Sequence, residues 1–296
     1  MAVKWTILGL LIYGAMTLYV VAAVLLATRL RKTGWAAYTL GFAVAAAAWG
    51  LRWQEVQHVP MQNLFEVFLC LGMLIMPISL FCRRALGVGG EAADAVIGFI
   101  LLFPAGLVFN AAPQHLPPAL QSWLFIPHVA SYMLSYVIMA KAAVPAACRL
   151  VVESPSRWSQ ERRGQESRGQ QTPGSGALGR SAPDPFTPGS PVVPFETATY
   201  RMVCLGFPLL TLGLVLGAVW GKLAWGDYWN WDPKELWSLV SWLMYLGYFH
   251  FRYRYGLRFP RVNSALALAG LVAIITTLLW VNLSRLFSAG MHSYAS

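Results

Sequence analysis

The sequence predicts an all-α, polytopic integral membrane protein with about eight transmembrane helices and both termini on the external face. Three observations carry that reading. Of 296 residues, 57% are hydrophobic and only 11% charged, which is not the make-up of a soluble domain. The apolar residues come in long blocks, and a block of roughly 20 is what a bilayer crossing needs. The basic residues, finally, gather in alternate loops.

The blocks lie at 5–28, 35–52, 63–82, 94–110, 126–149, 199–221, 235–251 and 264–287. The first is too long for the core of a signal peptide and lacks a small-residue cleavage site, so it reads as a span. Arg29, Arg31 and Lys32 follow it, and Arg83 and Arg84 separate spans three and four. Arg149 ends span five, and Arg252, Arg254, Arg258 and Arg261 sit between spans seven and eight. With the tryptophan-rich loop after span six placed outside, 16 of the 22 Lys and Arg fall inside, five fall outside, and Lys141 is within span five. Every loop then obeys the positive-inside rule. The net charge of +10 is therefore a topology signal, and it implies no nucleic-acid partner. By helical count Lys141 lies towards the inner end of its span, where its long side chain is expected to snorkel. The four cysteines, Cys70, Cys82, Cys148 and Cys204, form no CxxC pair and read as small buried hydrophobes.

Three regions follow. Residues 1–152 hold spans one to five. Residues 153–198 are rich in Pro, Ser, Gly, Gln and Arg and cannot bury enough apolar surface to fold alone, so they read as a disordered inner linker. Residues 199–296 hold spans six to eight. Span seven has a legible start: Asp232-Pro233-Lys234-Glu235 supplies an acidic N-cap, a proline at the first helical position and a glutamate at the third.

Between Trp220 and Trp242 lie six of the thirteen tryptophans, around the run Trp225-Gly-Asp-Tyr-Trp-Asn-Trp-Asp-Pro-Lys-Glu-Leu-Trp237. Interfacial anchoring accounts for one or two of them. Six, interrupted by Gly226, Asp227, Asn230 and Asp232, suit an aromatic platform for a flat, largely apolar ligand with polar groups at its rim. His128, at the outer start of span five, and His292, beyond the outer end of span eight, reach the same face as that platform. Each alone would be an ordinary interfacial polar residue. Together they are candidate axial ligands of a haem iron. His58 and His115 lie in outer loops with no positional claim and serve as controls. His250 lies about 27 Å along the helix from Asp232, near the inner surface; it is either functional or a snorkelling neighbour of Arg252 and Arg254. Glu66, one turn into span three, is placed to hydrogen-bond a loop or a helix end.

The tryptophan run, its Asp-Pro-Lys-Glu continuation, His250-Phe-Arg252 and the C-terminal His292-Ser-Tyr resemble the WWD-signature haem-handling membrane proteins, specifically the CcsA/ResC branch of System II cytochrome c biogenesis. Pro60-Met61 through Glu66 and His128-Val through Ser135-Tyr resemble it too. The matching segments cover nearly the whole chain outside 153–198. The resemblance implies that haem b is handled as a substrate. His128 and His292 would ligate its iron externally, and the segment 220–242, with Trp225, Trp229, Trp231, Asp232 and Trp237, would hold the ring. His250 would be half of an inner haem site whose second histidine comes from a CcsB/ResB partner. Further implied partners are apocytochrome c with its Cys-x-x-Cys-His motif and thiol-reducing proteins. The chain would then be part of a holocytochrome c synthase (haem lyase) complex in the bacterial cytoplasmic membrane, with a thylakoid less expected. A haem exporter without synthase activity and a b-type electron-transfer cytochrome are the alternatives.

Overall fold

The computed structural model describes residues 5–28, 30–113, 121–152 and 193–280. Among them are eight α-helices and no strand. In chain order these are α1 Ile7–Ala27, α2 Arg31–Val56, α3 Leu64–Leu86, α4 Glu91–Leu107, α5 Phe125–Val152, α6 Phe195–Trp225, α7 Pro233–Tyr255 and α8 Pro260–Ile275, the last continued by a π-helical turn, Thr276–Trp280. Six helices are long and apolar enough to cross a bilayer; α4, at 17 residues, and the aromatic, charge-bearing α7 are the other two. As far as the described residues reach, the eight sequence blocks thus become helices, mostly with longer ends than apolarity alone suggests. Several of the extra turns carry charges that are paired. Arg31, at the start of α2, bonds the carboxylate of Glu91 at the start of α4, which also pairs with Arg83. A charge with a partner can sit in a helix end where a lone one would face an apolar surround.

Successive helices run antiparallel and divide the molecule into two faces. One holds the end of α2, the starts of α3, α5 and α7, and the tryptophan loop between α6 and α7. The other holds the arginine-bearing helix ends. We call them the tryptophan face and the arginine face.

Small residues set the packing. Tyr19 of α1 is fully buried, and its hydroxyl donates to the Gly72 carbonyl of α3 at 3.0 Å. Its ring is sandwiched by Gly41 of α2 and Gly98 of α4, where a Cβ would stand 2.7 Å from it. The principal pair of the second half, α5 and α6, meets along Gly206, Gly213 and Gly217 of α6. A Cβ there would come within 2.9 Å of Met139, 3.0 Å of Tyr132 and 2.6 Å of His128, respectively. Small residues let helix backbones approach closely where water offers no hydrophobic drive.

Three expectations are corrected. Lys141 does not snorkel: it is 1% exposed, and its ammonium bonds Asp94 of α4 at 2.5 Å and the Gly89 carbonyl at 2.9 Å. Ser79 of α3 donates to the same Asp94 carboxylate, so three helices share one buried network, and a nearby carboxylate outcompetes a reach to the surface. Residues 195–198, read as linker, are the first turn of α6. Glu196 and Ala198 are buried there, and Glu196 pairs with Arg252 and accepts from the Asn263 side chain at 3.2 Å. Residues 153–192, the bulk of that linker, lie outside the described residues. Cys70 and Cys82 are buried as expected, but Cys148 is half-buried and Cys204 exposed on α6.

Candidate functional site

At the tryptophan face, α5, α6, α7 and the π-helical turn converge with the loop before α3 on a cleft of about 190 Å³. Its wall is mainly aromatic and aliphatic. His128, Tyr132 and Tyr136 line it at successive turns of α5, with Trp229, Lys234 and Thr277 opposite or beside them. Spacing of four residues places the three α5 side chains on one helical face. The π-helical turn brings Thr277 and Leu278 to the lining, the kind of helix irregularity that recurs at functional sites.

His128 is held from three sides. Its Nδ1 lies 2.9 Å from the Gly213 carbonyl of α6. A carbonyl only accepts, so Nδ1 carries a proton, and in the neutral ring the lone pair then belongs to Nε2. Gly217 leaves the room in which the ring sits: a Cβ there would be 2.6 Å from Cε1 and 3.0 Å from Nδ1. Tyr132 and Trp220 contact the ring at centroid distances of 5.1 and 5.5 Å. A neutral imidazole fixed through one nitrogen by a backbone carbonyl is how proteins present a histidine ligand.

The tryptophan loop is built by its own sequence. α6 ends at Gly226, whose φ of +89° is open to glycine. The N-cap expected of Asp232 is present: its carboxylate accepts from the Lys234 backbone N–H at 3.1 Å. The reciprocal bond completes the capping box. The Glu235 carboxylate accepts from the backbone N–H of Asn230 at 2.8 Å and of Asp232 at 3.2 Å. Two acidic side chains thus fix the loop's shape through the backbone. Lys234, ahead of the apolar span, is half-buried against the cleft. Burial pushes its ammonium down to about 8, while Asp232 pulls the other way.

The loop before α3 closes the opposite side. Asn63 caps α3 by accepting from the Glu66 N–H at 2.9 Å. Glu66 is fully buried and binds Arg52 of α2 at 2.9 and 3.1 Å. Its second oxygen accepts from the Gln62 N–H at 2.9 Å. Met61, Gln62 and Asn63, all in the lining, are therefore anchored by one ion pair. The expectation that Glu66 bonds a loop is met.

The sequence-predicted residues separate in space. His128 and Trp229 line the cleft. Trp225 stands one layer behind, 6.1 Å from the buried Trp220, which packs in turn on Phe125 at 5.7 Å. Trp231, 68% exposed with a φ of +58°, makes an edge contact with Trp229 at 5.9 Å. Asp232 is a buried cap. Trp237 is half-buried on α7 and is not part of the lining. Trp242 packs deeper, stacked on Phe207 at 5.6 Å with its N–H donated to Thr211. The six tryptophans are thus layers of a wall rather than one flat platform. His250 is exposed at the arginine end of α7. His58 is half-buried, its Nδ1 3.1 Å from the Val59 carbonyl, and does not line the cleft. His292 and His115 lie outside the described residues.

Sequence reasoning did not single out Tyr132, Tyr136, Gly213, Gly217, Lys234 or Thr277 as site residues. The tyrosines had a signal, since Pro-His-Val-Ala-Ser-Tyr-Met-Leu-Ser-Tyr repeats polar aromatics at helical spacing from His128. The glycines had none, because their value depends on a partner 85 residues away, as for Gly213 and His128.

Residues 13–288 match the family described as Cytochrome C assembly protein. The chain is 32% identical over 286 residues to the cytochrome c biogenesis protein CcsA of Synechococcus elongatus, covering 86% of each. Against that of Microcystis aeruginosa it is 32% identical over 281 residues, 84% of this chain and 83% of the other. Against that of Guillardia theta it is 33% identical over 253 residues, 83% and 79%. A matched family spanning nearly the whole chain, and relatives above 30% identity over more than four fifths of it, settle the family. The chain belongs to the CcsA family of cytochrome c biogenesis proteins.

Proposed function

We propose that this protein works in cytochrome c biogenesis by receiving haem b as a substrate, holding it in the tryptophan-face cleft with the iron bound by His128 and His292, and presenting it to apocytochrome c. The observation that carries the reading is His128: an imidazole fixed through Nδ1 by the Gly213 carbonyl, at the wall of an aromatic cleft beside the tryptophan loop. The donor set suits a porphyrin, since Trp229, Tyr132 and Tyr136 offer apolar surface and edge contacts to a flat ring. At about 190 Å³ the cleft is below the roughly 300–1,000 Å³ of enclosing small-molecule pockets. The ring therefore stands partly in the mouth, where a protein substrate can reach it.

Attachment needs no nucleophile from this chain. Each thiol of the Cys-x-x-Cys-His motif adds across a haem vinyl group, its sulfur bonding one vinyl carbon and its proton passing to the other, to give a thioether. What the chain contributes is orientation and exclusion of water. We place the tryptophan face outside, because the arginine-bearing loops then lie inside, and both termini are external. The membrane is read as the bacterial cytoplasmic one. A CcsB/ResB partner would supply the second histidine of an inner site at His250, and thiol-reducing proteins would keep the apocytochrome ready. Residues 153–192 read as the inner linker between the two helical regions.

The test is a reduced optical spectrum, with pyridine haemochrome, of the protein purified with its partner. A six-coordinate, bis-imidazole b-type spectrum that is altered in His128→Ala and in His292→Ala supports the reading. Haem-free protein from cells that still mature their cytochromes c overturns it.

A further inference from the structure

The turn between α7 and α8 holds four arginines, and one of them is used differently from the other three. Arg252 points inward: its guanidinium lies 4.1 Å from the Tyr200 ring and pairs with the buried Glu196. The side-chain amide of Asn263, itself buried, donates to that carboxylate and to the Gly256 carbonyl, each at 3.2 Å. The turn is thus braced from beneath. Arg254, Arg258 and Arg261 are exposed, and none has an ion-pair partner among the described residues. Arg254 lies over the ring of Tyr255 and Arg258 over that of Phe259, each at 5.4 Å. Those two rings stand 5.8 Å apart and share Phe251 as a neighbour. Both are exposed, as is Tyr253.

We propose that this turn is a binding site for anionic phospholipid headgroups. Exposed rings beneath exposed guanidiniums, at the meeting of two membrane helices, suit the zone between hydrocarbon and water. There the rings reach the acyl chains and the cations reach the phosphates. An orienting charge bias asks only for arginines in the right loop. It does not ask that they be exposed, lack carboxylate partners and lie on a shared aromatic base, while a fourth is neutralised inside. The stretch 153–192 offers no net negative charge to the turn, having five arginines against four carboxylates. The site is independent of the cleft at the other end of α7.

The test titrates fluorescent-tailed phosphatidylglycerol, and the matching phosphatidylcholine, with the full-length protein in neutral detergent and reads anisotropy. Wild type should prefer the anionic lipid. Arg254→Gln, Arg258→Gln and Arg261→Gln should each lower that preference about fivefold, and the triple variant on the order of 100-fold. Lys32→Gln with Arg84→Gln removes two exposed charges of the arginine face outside the turn and should leave the preference unchanged. No preference in wild type, an undiminished one in the triple variant, or an equal loss in the Lys32 and Arg84 control overturns the proposal. Two further arms need no variant. Raising salt from about 0.1 to about 1 M shortens the screening length from roughly 10 to 3 Å and should erase the wild-type preference; a preference that survives overturns the charge contact. Inorganic phosphate should displace the lipid poorly, and displacement as effective as by unlabelled phosphatidylglycerol overturns the lipid assignment in favour of a soluble anion.

Discussion

The surroundings of His128 and His250 could hardly be less alike. His128 sits among residues of its own chain: a carbonyl at 2.9 Å fixes its proton, a glycine makes room for its ring, and two aromatic side chains brace it. His250 is exposed at the opposite end of α7, beside Phe249 and Phe251 on a helix whose buried residues are Ser241, Tyr245 and Tyr248. A ligand whose ring is already oriented can bind without first losing rotamer freedom. An exposed one must be oriented by something else. The comparison teaches that this chain by itself orients the imidazole on the tryptophan face and leaves the one on the arginine face exposed. In the function proposed above, that exposure suits a site completed by a partner.

The largest expected effect breaks the comparison at its centre. His128→Ala should abolish cytochrome c maturation in cells, with partial return on adding imidazole to fill the vacated position. Maturation at wild-type level would show that the prepared histidine is not used. Next comes the anchor beneath the cleft's rim. Glu66→Ala leaves the buried Arg52 with only the exposed Glu55 at 3.6 Å; breaking a buried pair costs up to about 3–5 kcal/mol, read as a fall in thermal stability in detergent, and an unchanged melting temperature would show that the pair is dispensable. Gly217→Ala is a finer probe. The added methyl must displace the His128 ring from its carbonyl, and loss of such a supporting contact costs roughly 10–100-fold in metal affinity. Haem affinity should therefore fall, with some loss of stability from the strained seam, and equal affinity would show that the ring's placement is not critical. The smallest effect sharpens the contrast between histidines: His58→Ala should leave maturation unchanged, and a loss matching that of His128→Ala would remove the basis for choosing between them.

Much of this was legible in the chain. The eight helices followed from block length, since a bilayer permits few other structures. The capping box was readable because Asp232 and Glu235 act on backbone groups within five residues. The placement of His128 on the tryptophan face was readable by position alone. Long-range fits were not. The cradle at Gly213 and Gly217 depends on how α6 lies against α5, and no local pattern reports that. Lys141 was misjudged for the same reason: its distance from the surface along its own helix was visible, but Asp94, 47 residues earlier, was not visible as its partner. The six tryptophans were equally visible as a set, yet only the fold divides them into Trp220 and Trp229 at the cleft, Trp225 behind Trp220 and Trp242 stacked on Phe207 of α6.

The glycine seam between α5 and α6 also bears on how the protein can be assembled. These two helices flank the stretch 153–192, yet their union depends on Gly206, Gly213 and Gly217 fitting around Met139, Tyr132 and His128, and on Ser135 donating to the Gly206 carbonyl at 2.9 Å. None of those contacts requires an unbroken peptide between the helices. The architecture is thus that of two polypeptides that happen to share a covalent thread. A gene cut within that stretch would encode two pieces, each retaining its own side of the seam, and their association in the bilayer would rebuild the wall against which His128 is held.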